Sequence, residues 1–398
     1  MPERLSRREA NYTIPKGNTV KLKNVAAAGA LALATALALS ACGSNDNGSS
    51  PSDTSTKSPA ATGPTIDPSL SGTITAGGSS AQANAQAAWT AAFKAQAAGV
   101  TINYDKSQGS GGGVTNWLGG SYDFAGTDSA LSSDQFTQAQ TTCGADGGLN
   151  IPVYLSGVSV IYNLPGVSKL NLSADVIAKI FSGKITTWND PAIAALNSGA
   201  TLPSSPIASV HRSDGSGTTN NFTTYLNQVA ASSWTNAPSN AWPFANVGSG
   251  QQGGSGVVNT VTATANSIGY ADQSSIGKAT QADIQAGTSG TTFVTYSAAG
   301  ATAAFEAAAQ DASQGTGDLT KKLDYTKITG ASAYPIPLLS YDVLCKTFKD
   351  STQGKLTSAY IGFIGSKVGQ DVGEKNAGAA ALPASTQAEI AKTIALVK

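Results

Sequence analysis

The sequence carries little charge. Only 12% of its 398 residues are Asp, Glu, Lys or Arg, and 24 basic residues balance 24 acidic ones. Such a neutral surface has nothing with which to follow a nucleic-acid backbone, so nucleic acid is excluded as a partner. The chain is nevertheless long enough for two domains with a sizeable core.

Histidine and cysteine are scarce as well. The single histidine is His211 and the three cysteines are widely spaced, which excludes the usual metal sites and any Ser/His/Asp triad not built on His211. The partners for such a triad, Ser216 as nucleophile and Asp214 as orienting acid, lie too close to His211 in sequence for triad geometry. The sequence therefore predicts a protein that is not an enzyme and that uses neither a metal nor a cofactor.

A targeting segment precedes the globular part. Lys21 and Lys23 come before an apolar run that is too short for a stable membrane anchor. The run ends at 39–42 in Leu-Ser-Ala-Cys, and small residues before a cysteine resemble a bacterial lipobox in which Cys42 becomes the lipid-bearing first residue. We expect a lipoprotein signal peptide at 1–41, with the natural start at Val20; a plain secretory signal is the alternative.

The segment 42–69 is predicted to hold the lipidated cysteine and a flexible linker. Its Gly, Ser, Asn, Asp, Thr and Pro residues cannot bury enough apolar surface to offset chain entropy. Beyond it the exported chain keeps two cysteines, Cys143 and Cys345. In an oxidising compartment they can form one disulfide, and the sequence leaves open whether they meet.

Gly- and Ser-rich turns recur between strands and helices in the globular part. A strand at 71–76 leads into Gly-Gly-Ser-Ser at 77–80, and a strand at 101–104 leads into a second such turn at 108–114, each followed by a helix. A third strand-like run ends on Asp128. Ligands of open α/β sheets bind at the ends of strands in this way.

The most concentrated chemistry lies at 211–222, His-Arg-Ser-Asp-Gly-Ser-Gly-Thr-Thr-Asn-Asn-Phe. Apolar residues at helical spacing over 222–229 predict a helix here, and free N–H groups at a helix start favour an anion. Arg212 can add a bidentate charged contact, and Ser216 and Thr218 can donate O–H groups. Taken alone, the segment also fits an ordinary Asp/Gly turn in which Ser216 or Thr218 caps the helix. No turn in the chain supplies the lysine of a nucleotide-binding P-loop.

Two apolar runs predict crossings between domains. They cover 151–162 and 334–345, and each is long enough to pass from one domain to another. We expect domain I to comprise 70–152 plus 336–398, including a helical tail, and domain II to comprise 153–335.

Five motifs carry a family resemblance, and they occur in this order: Gly-Ser-Ser at 78–80 with Trp89, Gly-Ser-Gly-Gly-Gly-Val at 109–114, Asp-Phe-Ala-Gly-Thr-Asp at 123–128, Phe-Ser-Gly-Lys-Ile-Thr-Thr-Trp-Asn-Asp at 181–190, and Arg-Ser-Asp-Gly-Ser-Gly-Thr at 212–218. Over roughly residues 70–365 the chain resembles the phosphate-binding lipoprotein of the phosphate-specific ABC importer, and its composition resembles actinobacterial members. The resemblance implies an α/β, two-domain type II periplasmic-binding-protein fold with a hinge and an interdomain ligand cleft.

The same resemblance implies the site residues by position. The phosphate-binding set combines hydroxyls, backbone N–H groups, a carboxylate and a guanidinium: Ser80, Ala81, Ser110, Asp128, Arg212, Ser216, Gly217 and Thr218. Supporting residues are Asp214, which pairs with the arginine, and Ser79. The chain departs from the family pattern at 81–84, where Ala-Gln-Ala-Asn replaces the common aromatic residue and two prolines.

Hydrogen-bond valence indicates what such a site would select. An ionised Asp128 can only accept, which suits phosphate, because phosphate keeps a proton near neutral pH and sulfate does not. The resemblance implies a monomer, lipid-anchored on the extracytoplasmic face, that delivers inorganic phosphate to the membrane permease of an ABC importer. The alternatives are a lipid-anchored phosphate sensor or surface module, and a binding protein for another oxyanion such as sulfate or molybdate.

Overall fold

The computed structural model describes residues 64–398. The predicted signal peptide, Cys42 and most of the predicted linker lie outside the described residues. None of the helices in the described part is long and apolar enough to cross a membrane.

Strands are short except for two. In chain order they are β1 (Ser71–Gly78), β2 (Gly99–Asp105), β3 (Phe124–Thr127), β4 (Gly148–Asn163), β5 (Asn171–Leu172), β6 (Ala208–Arg212), β7 (Ser249–Gln251), β8 (Ser267–Asp272), β9 (Thr280–Gln281), β10 (Asp283–Gln285), β11 (Phe293–Val294), β12 (Ala309–Asp311), β13 (Lys321–Leu323) and β14 (Pro337–Cys345). The long strands β4 and β14 coincide with the two apolar runs of the sequence.

Helices follow most of the strands. They are α1 (Ala83–Lys94), α2 (Gly109–Leu118), α3 (Ser133–Cys143), α4 (Ala174–Phe181), α5 (Pro191–Leu196), α6 (Gly217–Val229), α7 (Gly253–Ala263), α8 (Ala298–Ala308), α9 (Ser351–Gly365), α10 (Lys367–Ala377) and α11 (Ala384–Ile394). A Ser or Asp side chain caps the first turn of α3, α4, α5, α6, α8, α9 and α10, as helix-start preferences predict. The last three helices form the helical tail that the sequence predicts.

The main sheet has the strand order β2-β1-β3-β14-β4-β8-β6-β7, with β9 also paired to β4. In its first half, β1 is parallel to β2 and β3; in its second half, β6 is parallel to β7 and β8. Strand β4 belongs to both halves, because residues 148–157 pair with β14 and residues 158–163 pair with β8. The boundaries proposed for two domains remain a prediction.

Aromatic side chains fill the core beside each half of the sheet. In the first half, Phe93 of α1 packs edge-on against Tyr360 of α9, with ring centroids 5.2 Å apart. In the second half, Phe222 of α6 stacks on Tyr270 of β8 at 4.3 Å. Since Phe222 lies in the second turn of α6, this contact fixes where that helix begins.

The secondary structure of the glycines at 109–113 differs from our prediction. We predicted a turn at 108–114, but α2 already begins at Gly109 and the glycines occupy its first turns. Backbone proximity explains their presence, because a Cβ on Gly113 would lie 2.4 Å from the Cα of Gly78 in β1. The N–H of Gly111 also donates to the carbonyl of Gly215, at 2.8 Å. Glycine at 111 and 113 therefore permits close packing of backbones, whereas Gly109, with a φ of +63°, supplies the turn into the helix.

A disulfide joins Cys143, the last residue of α3, to Cys345, the last residue of β14. Their Cα atoms are 5.2 Å apart although 202 residues separate them in sequence. The bond attaches α3 to the first half of the sheet and closes a loop that contains the whole second half.

Candidate anion-binding site

Four helices begin at the carboxyl ends of parallel strands: α1 after β1, α2 after β2, α6 after β6 and α7 after β7. Their starts meet, because the N–H of Gly254 in α7 donates to Ser80 Oγ before α1 at 3.2 Å, and Gly111 in α2 contacts Gly215 before α6. Neither α1, α2 nor α7 has a side-chain cap of its own. Helix N-termini carry partial positive charge and free N–H donors, so their convergence favours an anion.

Ser216 sets the start of α6. Its Oγ accepts a hydrogen bond from the N–H of Thr219 at 3.1 Å, so Ser216, and not Thr218, is the cap. This cap leaves the N–H groups of Gly217 and Thr218, the first two of the helix, without an intrahelical acceptor. Gly217 and Thr218, which the sequence analysis singled out, therefore each present a backbone N–H group at the start of α6.

Arg212 and Asp214 form a buried ion pair beside this helix start. The Arg212 Nε–Asp214 Oδ1 distance is 2.6 Å, and a guanidinium Nη binds the second carboxylate oxygen. The N–H of Gly253 also donates to Asp214, at 3.1 Å. Although burial raises the pKa of Asp214, hydrogen bonds and charge from Arg212 bring that pKa below its usual value. Two of the five guanidinium N–H groups of Arg212 donate hydrogen bonds to Asp214. Within residues 64–398 the other three have no hydrogen-bond acceptor.

Asp128 follows β3 and is buried at 3% exposure. Its Oδ1 accepts hydrogen bonds from Ser79 and from Ser340, the latter at 2.7 Å. Its Oδ2 accepts from Thr218 Oγ1 of α6 at 2.9 Å. Burial raises the pKa of Asp128, and these three hydroxyls and the charge of Arg212 oppose that rise. A carboxylate of the first half of the sheet is therefore held among donors from both halves.

Three other members of the predicted set, Ser110, Ser80 and Ala81, form hydrogen bonds within the protein. Ser110 Oγ accepts from the N–H of Asp128 at 3.2 Å, and Ser80 Oγ accepts from Gly254. Both hydroxyls therefore keep their own hydrogen for another acceptor. The N–H of Ala81, expected to bind ligand, donates to Ser79 Oγ at 3.1 Å. The structure thus brings all of the predicted site residues of 64–398 to one place, with Ala81 and Ser79 bound to each other.

Gly217 lies where the two halves come closest. A Cβ at this position would lie 2.7 Å from Ser110 Oγ and 2.8 Å from the backbone nitrogen of Asp128. Only glycine lets α6 start this close to Asp128 and Ser110.

Comparisons with known proteins show the family to which the chain belongs. A family model described as a PBP superfamily domain matches residues 59–368. Phosphate-binding protein PstS 3 of Mycobacterium leprae is 35% identical over 297 residues, covering 73% of this chain and 78% of the relative. PstS 2 of Mycobacterium tuberculosis is 36% identical over 324 residues, covering 80% and 85%. The chain belongs to the PstS family of phosphate-binding proteins.

Solved structures support the fold. The periplasmic phosphate-binding protein PfluDING matches with a TM-score of 0.62 at 22% identity, over 80% of this chain and 93% of its own. The phosphate-binding protein of Stenotrophomonas maltophilia matches with a TM-score of 0.61 at 19% identity, over 81% and 94%. At these identities the likeness concerns the fold alone, and it confirms the predicted α/β periplasmic-binding-protein fold.

Three residues at the site were not predicted. Ser340 binds Asp128; Gln82 donates to Ser340 Oγ at 2.7 Å; and Asn221 of α6 donates to the Asp128 carbonyl at 2.6 Å. A signal existed for Gln82 and Gln86, because they share a helical face with the buried Trp89 and Phe93 at spacings of four, three and four. Polar side chains on such an inward face need partners there.

A second buried carboxylate, Asp342, lies two residues after Ser340 on the same face of β14. Gln86 Nε2 lies 3.3 and 3.4 Å from its two oxygens. Burial raises the pKa of Asp342 to about 8, against hydrogen bonds from Gln86 and Gln82. The native protein therefore retains a proton here that the unfolded chain releases above pH of about 4.

Replacing Asp342 with Asn is expected to change how stability depends on pH. In the wild type, the stability that this proton contributes is complete below pH of about 4 and is lost as the pH rises through about 8, at up to about 1.4 kcal/mol per pH unit. Asp342→Asn cannot ionise, so its free energy of unfolding relative to wild type should rise between pH 5 and pH 8.

Urea unfolding of both proteins across this range measures the difference. Asp146→Asn, at an exposed aspartate, is the control. A constant difference for Asp342→Asn would show that Asp342 has no raised pKa in the folded protein.

Proposed function

We propose that this protein binds inorganic phosphate outside the cytoplasm and delivers it to the permease of an ABC importer. Membership in the PstS family supports a binding role rather than an enzymatic one. Two relatives with solved structures are described as phosphate-bound, one of them a putative ABC-transporter substrate-binding protein of Clostridium perfringens. Cys42, which lies outside the described residues, would carry the lipid that holds the protein at the extracytoplasmic face of the membrane.

The observation that carries the proposal is the position of Asp128 among donors. Around it lie the N–H groups of Gly217 and Thr218, the hydroxyl of Ser110 and the guanidinium of Arg212. A tetrahedral oxyanion needs many donors, and phosphate also has an O–H that needs an acceptor. Asp128 is a carboxylate acceptor in a region otherwise rich in donors.

Charge compensation fits the same ligand. Because Asp214 already pairs with Arg212, a phosphate ion would be held by hydrogen bonds and helix N-termini as much as by net charge. A site without surplus positive charge has little general attraction for anions. Selectivity would then rest on hydrogen-bond direction at Asp128.

Asp128→Asn should remove discrimination between phosphate and sulfate. The amide can place its oxygen toward Ser79 and Ser340 and its NH₂ toward the ligand, where it donates to either anion. An unmet buried polar group costs about 1–3 kcal/mol, so the wild-type preference for phosphate should fall by at least about fivefold. Calorimetric titration of both anions measures this ratio, with exposed Asp134→Asn as control. An unchanged ratio would mean that Asp128 does not read the phosphate proton.

Gly217→Ala and Gly215→Ala form a matched pair within one loop. A Cβ at 217 meets Ser110 Oγ and the Asp128 backbone at 2.7–2.8 Å, whereas a Cβ at 215 meets Gly111 Cα at 3.4 Å, an ordinary contact. We expect Gly217→Ala to weaken phosphate binding by at least about tenfold, since the first N–H groups of α6 must move, and Gly215→Ala to weaken it by less than about threefold.

Phosphate titrations monitored by tryptophan fluorescence compare the phosphate affinities of the two variants. Equal affinity in Gly217→Ala and Gly215→Ala would show that close approach at Gly217 is not needed for binding.

A further inference from the structure

The two hydroxyls on Asp128 Oδ1 are each forced to donate. Ser340 Oγ accepts from Gln82 Nε2 at 2.7 Å, so its single hydrogen is left for Asp128. Ser79 Oγ accepts from the N–H of Ala81 at 3.1 Å and likewise gives its hydrogen to Asp128. A hydroxyl has one hydrogen and two lone pairs. The acceptor contact on each serine oxygen uses a lone pair, and the hydrogen goes to the carboxylate because a carboxylate oxygen can only accept.

The orientation of the Gln82 amide is fixed in turn. Its Oε1 accepts from Gln86 Nε2 at 2.9 Å, and its Nε2 also donates to the carbonyl of Tyr341 at 2.9 Å. Gln86 Oε1 accepts from the hydroxyl of Tyr360 at 2.9 Å. Rotating the Gln82 amide by half a turn would place oxygen against the Tyr341 carbonyl and nitrogen against nitrogen. One hydrogen bond at each step, from Tyr360 through Gln86, Gln82 and Ser340, therefore runs toward Asp128.

Local structure places these residues. Gln82 and Gln86 are four apart at the start of α1, on one face of the helix. Ser340 lies where the register between β14 and β4 shifts, between Ser340 and Tyr341. The antiparallel pairing of β14 with β3, in which Tyr341 lies opposite Thr127, brings Ser340 next to Asp128, the residue that follows Thr127. Ser340, Gln82 and Gln86 are at most 1% exposed, so no solvent competes for their hydrogen bonds.

Counting lone pairs shows what remains for a ligand. A carboxylate has about four lone-pair sites, two on each oxygen. Ser79 and Ser340 occupy both on Oδ1, and Thr218 occupies one on Oδ2. One acceptor site is left, on the oxygen that faces the start of α6. The arrangement leaves this carboxylate oxygen with one acceptor site for a donor on the ligand.

We propose that Ser340 and Gln82 are positioning residues for specificity, which direct Asp128 Oδ2 to accept the proton of the bound oxyanion. This inference rests on the proposed function and adds the residues that act through Asp128. The charged and titratable groups around Asp128 include Arg212 and Asp214 from the second half of the sheet, and Asp342 and Tyr104 from the first. Four more, Lys321, Lys322, Tyr325 and Tyr341, line the same cavity as Asp128.

The test compares phosphate and sulfate affinities from pH 5 to pH 9 in wild type, Ser340→Ala, Ser340→Thr and Gln82→Met. Ser340→Ala removes a donor to Asp128, which then takes up a proton more easily. We expect the phosphate-to-sulfate affinity ratio to fall by about tenfold at pH 7 and its loss at low pH to begin at a higher pH than in wild type. Dividing by the wild-type ratio at each pH removes the protonation of phosphate itself.

Ser340→Thr keeps the hydroxyl and should restore the wild-type ratio and pH profile. Gln82→Met keeps Ser340 but frees its hydroxyl, and should lower the ratio by about threefold; it also serves if Ser340→Ala does not fold. Gln96→Met, at an exposed glutamine just after α1, is the control and should behave like wild type.

Two results separate the hypotheses. If wild type binds no phosphate, the proposed function is overturned and this inference with it. If wild type binds phosphate while Ser340→Ala and Gln82→Met weaken both anions equally, with an unchanged pH profile, the residues have only a structural role and this inference alone is overturned.

Discussion

One buried carboxylate, Asp128, accepts hydrogen bonds from both halves of the molecule, and the site depends on that constraint. Burying a charge is costly unless donors surround it. Here Ser79 and Ser340 supply them from the first half and Thr218 supplies one from the second. Glycine at 217 lets α6 come close enough for the third bond. The two halves of the sheet are therefore connected through the group that we propose reads the ligand.

The electrostatic design of the site follows from the low charge of the chain. Its one buried arginine here, Arg212, is matched by Asp214, so the pair brings little net charge. Attraction for an anion comes instead from backbone N–H groups at helix starts, and α1, α2 and α7 begin without side-chain caps. Donors in fixed positions distinguish ligands by hydrogen-bond direction, which charge alone does not do.

Local sequence patterns predicted several features of the site. Helical spacing gave α6, and the preference of serine for helix starts gave Ser216 as a possible cap. Long-range contacts could not be read in the same way. Ser340 is 212 residues from Asp128 in sequence, and only the pairing of β14 with β3 brings them together. The glycines at 109–113 were mistaken for a turn, because the sequence does not show that β1 passes against α2. The boundaries of two domains and the lipid on Cys42 remain predictions.

Monofluorophosphate tests the central claim most directly. Near neutral pH its dianion has nearly the shape and charge of hydrogenphosphate, but fluorine replaces the O–H, so it has no proton to give Asp128. Competition calorimetry against phosphate at pH 8 compares the two. Our account predicts that monofluorophosphate binds at least about fivefold more weakly than phosphate, in the range of sulfate. Equal affinity for phosphate and monofluorophosphate would contradict it, because shape and charge would then suffice without a proton acceptor.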